Sequence, residues 1–276
     1  MATTLPGLIG IVFALHLWLA PASLAGWKQV KKEGTLHLAT EGTFRPFNYS
    51  DEPGPAAGKT LTGFEVELAN ALAKKLGLKS DWTTRPFDQL LTGLALRKYD
   101  LVAASHAITP ERAKTVEFIN PHYCTGATIV TRAGGPGSLK ALAGKTIGVT
   151  VGTTYYDRLN AMGRFKEIKV FRDDAEATDN LVGSKIDAWV TDRFVAAAML
   201  KARKDAGLDV SGVLFPEMVA MAVAKGDSEL KDKVNGALAA LFKDGTYARL
   251  SERYFGQDIS CKGLGGRRAH GAAQGD

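Results

Sequence analysis

The run Ala104-Ser105-His106-Ala107-Ile108-Thr109-Pro110-Glu111-Arg112 carries the sharpest chemical signal in this chain. An apolar strand ends at Ala104, and Thr109 is suited to cap a helix with Pro110 at its first position. Such a helix start turns backbone N–H groups outward and attracts anions. Arg112, one turn in, can grip a carboxylate through two parallel hydrogen bonds, although pairing with Glu111 or another surface acid is the plainer use. A second candidate anion site is Thr150-Val151-Gly152-Thr153-Thr154, which follows a strand and opens a helix. It is no Walker loop, because no Lys follows the glycine at the required spacing. An ordinary N-cap accounts for Thr153 or Thr154 equally well. Asp192 closes an apolar strand, where it can hold an ammonium group or cap a helix over 194–201. Glu41 ends the first strand, and Phe44, Phe47 and Phe64 supply aromatic faces that suit a core as readily as a ligand platform.

Hydrolytic and metal chemistry find little footing. The sequence has no G-x-S-x-G elbow and no H-E-x-x-H. His37, His106 and His122 are isolated from one another, and His122 with Cys124 is too sparse for a zinc site. His106 beside Ser105 suggests a base and nucleophile, but a histidine on such a loop more often packs or hydrogen-bonds. No cofactor or metal is expected.

The elements that position these residues alternate between strand and helix. Residues 35–40 form a strand, followed by a loop containing Gly42, Pro46 and Gly54-Pro55. Phe64, Leu68, Ala71, Leu72 and Leu76 fall at helical spacing, and Gly77 stops that helix. The first half continues with a strand over 80–84, a helix over 87–96, a strand over 100–104, the helix starting at Thr109-Pro110, and a strand over 128–131. A second series follows: strand 146–150, helix 154–162, strand 169–171, helix 175–182 and strand 186–191. Strand 219–224 and two helices within 230–254 close the fold. This α/β alternation implies parallel sheets covered on both faces. An internal echo is visible: Lys98-Tyr99-Asp100-Leu101-Val102 matches Lys185-Ile186-Asp187-Ala188-Trp189 as a Lys-x-Asp turn entering a buried strand. Two similar lobes would share a cleft at the carboxyl ends of their strands.

Composition agrees with a folded protein. Of 276 residues, 45% are hydrophobic and 23% charged, which excludes disordered, collagenous and low-complexity classes. The net charge of +6 is spread over 35 basic and 29 acidic residues, which argues against a nucleic-acid partner. No Lys, Arg, Asp or Glu precedes Lys28, residues 8–20 are almost wholly apolar, and Ala22-Ser23-Leu24-Ala25 offers a cleavage site. Residues 1–25 read as a signal peptide, with an uncleaved anchor as the alternative. Residues 262–276 read as a disordered tail.

Taken in order, these motifs resemble the family-3 solute-binding proteins, the periplasmic amino-acid receptors of ABC importers. The resemblance rests on Thr43-Phe44-Arg45-Pro46-Phe47, Gly63-Phe64-Glu65-Val66-Glu67-Leu68, Ile108 to Arg112 with Phe118 to Tyr123, Gly144 to Val149 with Gly152-Thr153-Thr154, Asp187 to Asp192, and Asp244-Gly245-Thr246-Tyr247 before Tyr254-Phe255-Gly256. It implies a two-lobe periplasmic binding protein fold of type II, with the ligand held between lobes joined by two hinge strands. Lobe 1 would comprise residues 34–122 and 219–261, and lobe 2 residues 125–218.

The resemblance also implies roles. Arg112 would pair with the α-carboxylate of an L-amino acid, helped by the backbone near Ser105 and by Thr154. Asp192 would hold the α-ammonium, Phe44 and Phe64 would flank the side chain, and Glu41 would read a polar or cationic one. Ala107 departs from the family, which often has a hydroxyl there, so either one carboxylate hydrogen bond would be missing or Ser105 would replace it. Cys124 and Cys261, the only cysteines, would lie near the hinge and form a disulfide, the alternative being two unrelated thiols. The resemblance further implies a monomeric periplasmic receptor that meets a membrane ABC permease transiently and performs no chemistry. Rival readings are a dehydratase-like enzyme using Glu217 or Glu41 as its acid, and the sensor module of a signalling receptor.

Overall fold

The computed structural model describes residues 26–50 and 60–261. The expected signal segment, the Gly54-Pro55 loop and the tail lie outside the described residues. The chain starts with α1 (Trp27–Glu33), β1 (Thr35–Thr40), and the short pair β2 (Thr43–Phe44) and β3 (Asn48–Tyr49). Then come α2 (Phe64–Lys75), β4 (Lys79–Thr84), α3 (Phe87–Ala95), β5 (Leu101–Val102), α4 (Arg112–Thr115) and β6 (Val116–Phe118). The second region holds β7 (Tyr123–Arg132), β8 (Thr146–Thr150), α5 (Thr154–Met162), β9 (Glu167–Phe171), α6 (Asp174–Val182), β10 (Ala188–Asp192), α7 (Arg193–Ala202) and β11 (Leu208–Val219). The chain returns through β12 (Ala222–Ala224), α8 (Ser228–Lys243) and α9 (Thr246–Phe255).

Two five-stranded sheets form two lobes, ordered β4-β1-β5-β12-β6 and β11-β7-β10-β8-β9. Each has a parallel part (β4, β1, β5 and β10, β8, β9) extended by antiparallel strands. The sheets are therefore mixed rather than wholly parallel. The antiparallel strands are those next to the two places where the chain crosses between lobes. β7 and β11 pair at that crossing, Tyr123 opposite Val219 and Cys124 opposite Met218, so the hinge is a two-stranded ladder.

The internal echo has a structural basis. Asp100 N–H donates to the His37 carbonyl at 2.8 Å, and its carboxylate accepts the His37 N–H at 2.9 Å. Asp187 repeats the exchange with Thr146, at 2.8 Å in both directions. Each aspartate thus locks its strand's entry to the neighbouring parallel strand.

Two expectations are corrected. The helix expected from Thr109-Pro110 is a single turn beginning at Arg112. Thr109 still caps it, its Oγ1 accepting the Arg112 N–H at 3.1 Å. The strand expected over 219–224 is split between β11 and β12. Most of β11 escaped the sequence reading, because its first seven residues are exposed or half-buried and include Asp209, Ser211 and Gly212. Backbone pairing with β7 makes that edge a strand, not an apolar pattern.

The cores meet at the hinge. Phe47 lies 4.6 Å from Tyr123, 5.2 Å from Phe255 and 6.2 Å from Phe194, centroid to centroid, joining rings of both lobes. Cys124 and Cys261 form a disulfide with Cα atoms 5.0 Å apart, and Cys124 N–H donates to the Ile259 carbonyl. This fastens the segment after α9 to the first hinge strand.

Candidate ligand-binding site

A cavity lies between the lobes, where β1, β8 and β10 end and the segment after β5 turns away. Five of the seven residues expected to bind ligand line it: Glu41, Phe44, Ser105, Arg112 and Thr154. Phe64 and Asp192 are not among its lining residues.

Arg112 is half-buried, and its guanidinium spans the cleft. Nη1 donates to the Ala107 carbonyl at 2.8 Å in lobe 1, and Nη2 donates to the Gly152 carbonyl at 2.9 Å in lobe 2. Its Cζ lies 5.7 Å from the centre of the Phe87 ring. Opposite stands the start of α5, where neither threonine hydroxyl caps the helix. Thr153 Oγ1 donates to the Thr150 carbonyl at 2.7 Å, and Thr154 Oγ1 donates to Glu217 Oε1. The first-turn amides of α5 thus have no side-chain acceptor, and with Arg112 they make an anion-attracting end of the cavity. Glu217 sits behind them; burial pushes its pKa up, while the Thr154 hydroxyl and the charges of Arg158 and Arg112 pull it down.

Ser105 occupies the left-handed region at φ 55° and is held from below. Its N–H and its hydroxyl both donate to the fully buried Glu65, at 3.0 and 2.8 Å. Glu65 also meets His122 Nε2 at 2.9 Å and accepts from Asn48 Nδ2 at 3.2 Å. The Ser105 hydroxyl proton is therefore committed to Glu65, and Ala107 offers Arg112 its carbonyl in place of a side-chain hydroxyl.

Asp192 is buried and occupied as the N-cap of α7. Oδ1 accepts the N–H groups of Phe194 and Val195 at 2.7 and 3.2 Å, and Oδ2 accepts the Thr125 hydroxyl at 2.5 Å. Burial lifts its pKa to about 7 against the pull of these bonds. Phe64 is fully buried in the core, 5.3 Å from Phe255 and 5.6 Å from Tyr247. The second aromatic face of the cavity is Phe87, stacked on His106 at 4.3 Å.

Asp174 is the lining acid that the sequence reading passed over. It opens α6, is buried, and accepts hydroxyl protons from Thr150 at 2.6 Å and Thr191 at 3.3 Å. Burial raises its pKa to about 6. Among the described residues Glu41, half-buried, accepts only the Thr43 hydroxyl, at 3.2 Å. Burial and then the Asp174 charge push its pKa up to about 8. The sole sequence signal for Asp174 is the doublet Asp173-Asp174, of which Asp173 alone caps α6 through the Glu176 N–H. Among the described residues no cluster of ligating side chains fits a metal ion, and no helix is long and apolar enough to cross a membrane.

The profile of bacterial extracellular solute-binding proteins, family 3, matches residues 36–257. The L-cystine-binding protein TcyJ of Escherichia coli (strain K12) is 34% identical over 236 residues, covering 84% of this chain and 86% of that protein. The structure of an ancestral arginine-binding protein bound to glutamine is 40% identical with a TM-score of 0.74, covering 81% of this chain and 99% of the other. The structure of AncCDT-1, described as an ancestral amino acid-binding protein and a precursor of cyclohexadienyl dehydratase, is 34% identical with a TM-score of 0.75. It covers 83% of this chain and 98% of the other.

Proposed function

The chain belongs to the bacterial extracellular solute-binding proteins, family 3, and we propose that it captures an L-amino acid between its lobes and delivers it to a membrane ABC permease without altering it. The observation that carries this reading is the anion end of the cleft, built by Arg112 from one lobe and the uncapped start of α5 from the other. A ligand carboxylate there replaces two backbone carbonyls as the partner of the guanidinium, a charge-assisted exchange that favours binding.

In this reading Arg112 and the Thr154 backbone N–H hold the carboxylate, while Ser105, whose N–H and hydroxyl are given to Glu65, shapes that wall. Asp192 takes the α-ammonium through Oδ2, which among the described residues accepts the Thr125 hydroxyl alone. Phe44 and Phe87 flank the side chain, and Phe64 supports that wall from the core. Lobe 1 comprises residues 34–122 and 219–261, lobe 2 residues 125–218, and the protein acts in the periplasm as a monomer. A thermal-shift screen of the twenty amino acids tests the reading, since saturating ligand at a hundredfold excess adds about 2.7 kcal/mol. No shift with any amino acid, with sugars or dicarboxylates active instead, would overturn it.

A second reading, a dehydratase-like enzyme, draws on one feature: Glu217, an acid with a raised pKa in the same cavity. Incubation with arogenate or prephenate, followed by a search for an aromatic product, separates the two.

A further inference from the structure

We propose that cleavage after Ala25 frees an α-ammonium at Gly26 and that Asp227, at the start of α8, holds it. The inference rests on reading residues 1–25 as a signal peptide and is independent of what the cleft binds. In the cleavage step a signal peptidase adds water across the Ala25–Gly26 peptide bond. Ala25 leaves with the new carboxylate, and the Gly26 amine takes up the proton that the acid releases.

Asp227 occupies the N-cap position of α8, where an aspartate ordinarily accepts helix amides, yet its side chain caps none of them. That side chain is 10% exposed and turns instead to Arg97, whose Nη1 lies at 2.8 Å. Gly26 stands against the same carboxylate: a Cβ added there would lie 2.9 Å from Asp227 Oδ1. Gly26 is buried and has a φ of +103°, so an L side chain would be strained as well as obstructed. Its nitrogen is one bond from the same Cα, which puts it within reach of the acid. The start of α1 is fixed in this place by Val30, buried in the core, and by Trp27, which packs against that core.

Charge supplies the second argument. Gly26 and Asp227 line one cavity of about 220 Å³ beside α1, together with Glu33, Arg97, Lys98 and Asp100. His37 lines it too, placed between Glu33 at 3.4 Å and Asp81 at 3.1 Å. Three carboxylates of this cavity thus face two permanent cations. Burial, and after it the charges of Glu33 and Asp227, push the Asp100 carboxyl up. The Gly26 ammonium is a third cation and restores the balance. An ammonium at a helix start opposes the helix dipole, and a facing acid offsets that cost. While the signal peptide is attached, the Gly26 nitrogen is a neutral amide and Asp227 lacks this partner. Processing therefore tightens the docking of α1 on lobe 1.

The intact mass of the exported protein should correspond to a chain that starts at Gly26; a start at any other residue overturns the proposal. Thermal melts then compare the mature protein with a form that retains Ala25, each with Asp227 and with Asp227→Asn. The extra residue moves the ammonium one position away from the carboxylate. With Asp227 present it should lower the midpoint by about 2–4 °C, and with Asp227→Asn it should change the midpoint little. Because the variant also loses the Arg97 ion pair, the effect of Ala25 is read within each background. Equal drops in both backgrounds overturn the pairing while leaving the cleavage site intact. Where Asp227→Asn fails to fold, NMR titration of the wild-type Gly26 amine decides. It should titrate above the ordinary α-amino range of about 7.7–8.0, and titration within or below that range overturns the proposal.

Discussion

Gly152, in lobe 2, accepts a hydrogen bond from Arg112 of lobe 1 at 2.9 Å, and its Cα faces the same lobe so closely that an added Cβ would lie 3.0 Å from Asp88 Cβ. Its φ of +73° adds a second reason for glycine. The contact links Arg112 to a close approach between the lobes.

Gly152→Ala should therefore weaken ligand binding and oppose closure. The left-handed backbone alone costs an alanine roughly 1–2 kcal/mol, and the Asp88 contact must also give. Solution scattering should show compaction of the wild type on saturation with its cognate amino acid, and less compaction of the variant at equal ligand. Equal compaction in both would contradict the role assigned to this contact.

Arg112→Ala should reduce affinity by about 2–5 kcal/mol, because the ligand carboxylate is then enclosed without its cation. Arg112→Lys should not restore it, since a single ammonium cannot reach both the Ala107 and Gly152 sides as the planar fork does. Titration calorimetry on both variants measures this.

The pH dependence has a definite sign. Glu41, Asp192 and Asp174 have pKa values raised by burial to about 8, about 7 and about 6. The neighbouring charges of Asp173 and Glu65 act on Glu41 in the same sense. Glu217 is raised as well. The ligand-free fold thus holds protons that the unfolded chain has released, so these acids stabilise it fully at low pH and less as pH rises. His106 acts in the opposite sense below its ordinary value near 6.5, because burial lowers its pKa. Thermal melts should therefore show ligand-free stability falling between about pH 7 and 8, where His106 is silent. Glu41→Gln should flatten that fall; a wild-type midpoint that climbs through the window would contradict the assignment.

The cystine joins residues 137 apart in sequence. The chain-entropy model gives such a loop about 4–5 kcal/mol of stabilisation as an upper figure. Cys124→Ser with Cys261→Ser should lower the denaturation midpoint accordingly. Thiol titration of the denatured, unreduced wild type should find no free thiol.

Glu65 is a structural counterpart to the cleft acids. Its buried carboxylate accepts both Ser105 donors and the Asn48 amide, and meets the His122 ring. Glu65→Ala should cost about 3–5 kcal/mol in denaturant unfolding, by stranding those groups. It should also release Ser105 from its left-handed conformation, loosening the loop that leads to Arg112.

Much of this architecture is written locally. The apolar spacing over α2 and the glycine that ends it predict the helix directly, because side-chain period and backbone freedom are properties of a few adjacent residues. The Asp100 and Asp187 turns are legible as a repeated Lys-x-Asp pattern, although each aspartate acts on a strand far off in sequence, at His37 and Thr146. That Arg112, Thr154 and Glu41 line the cavity was legible as well, since strand ends and helix starts in such sheets face the cleft.

Tertiary structure decided which of several equivalent side chains reaches the cavity. Asp192 ends the buried strand β10 and is drawn to the amides of α7, while Asp173 relieves Asp174 of capping α6. Phe64 and Phe87 both begin helices, but Phe64 is enclosed by Tyr247 and Phe255 from the far end of the chain, and Phe87 is left to face the cleft. The enclosure of Phe64 depends on the docking of segments more than a hundred residues apart, and no local period records it. The facing of Glu41 by Asp174 is of this kind: it exists only because two lobes close on one another.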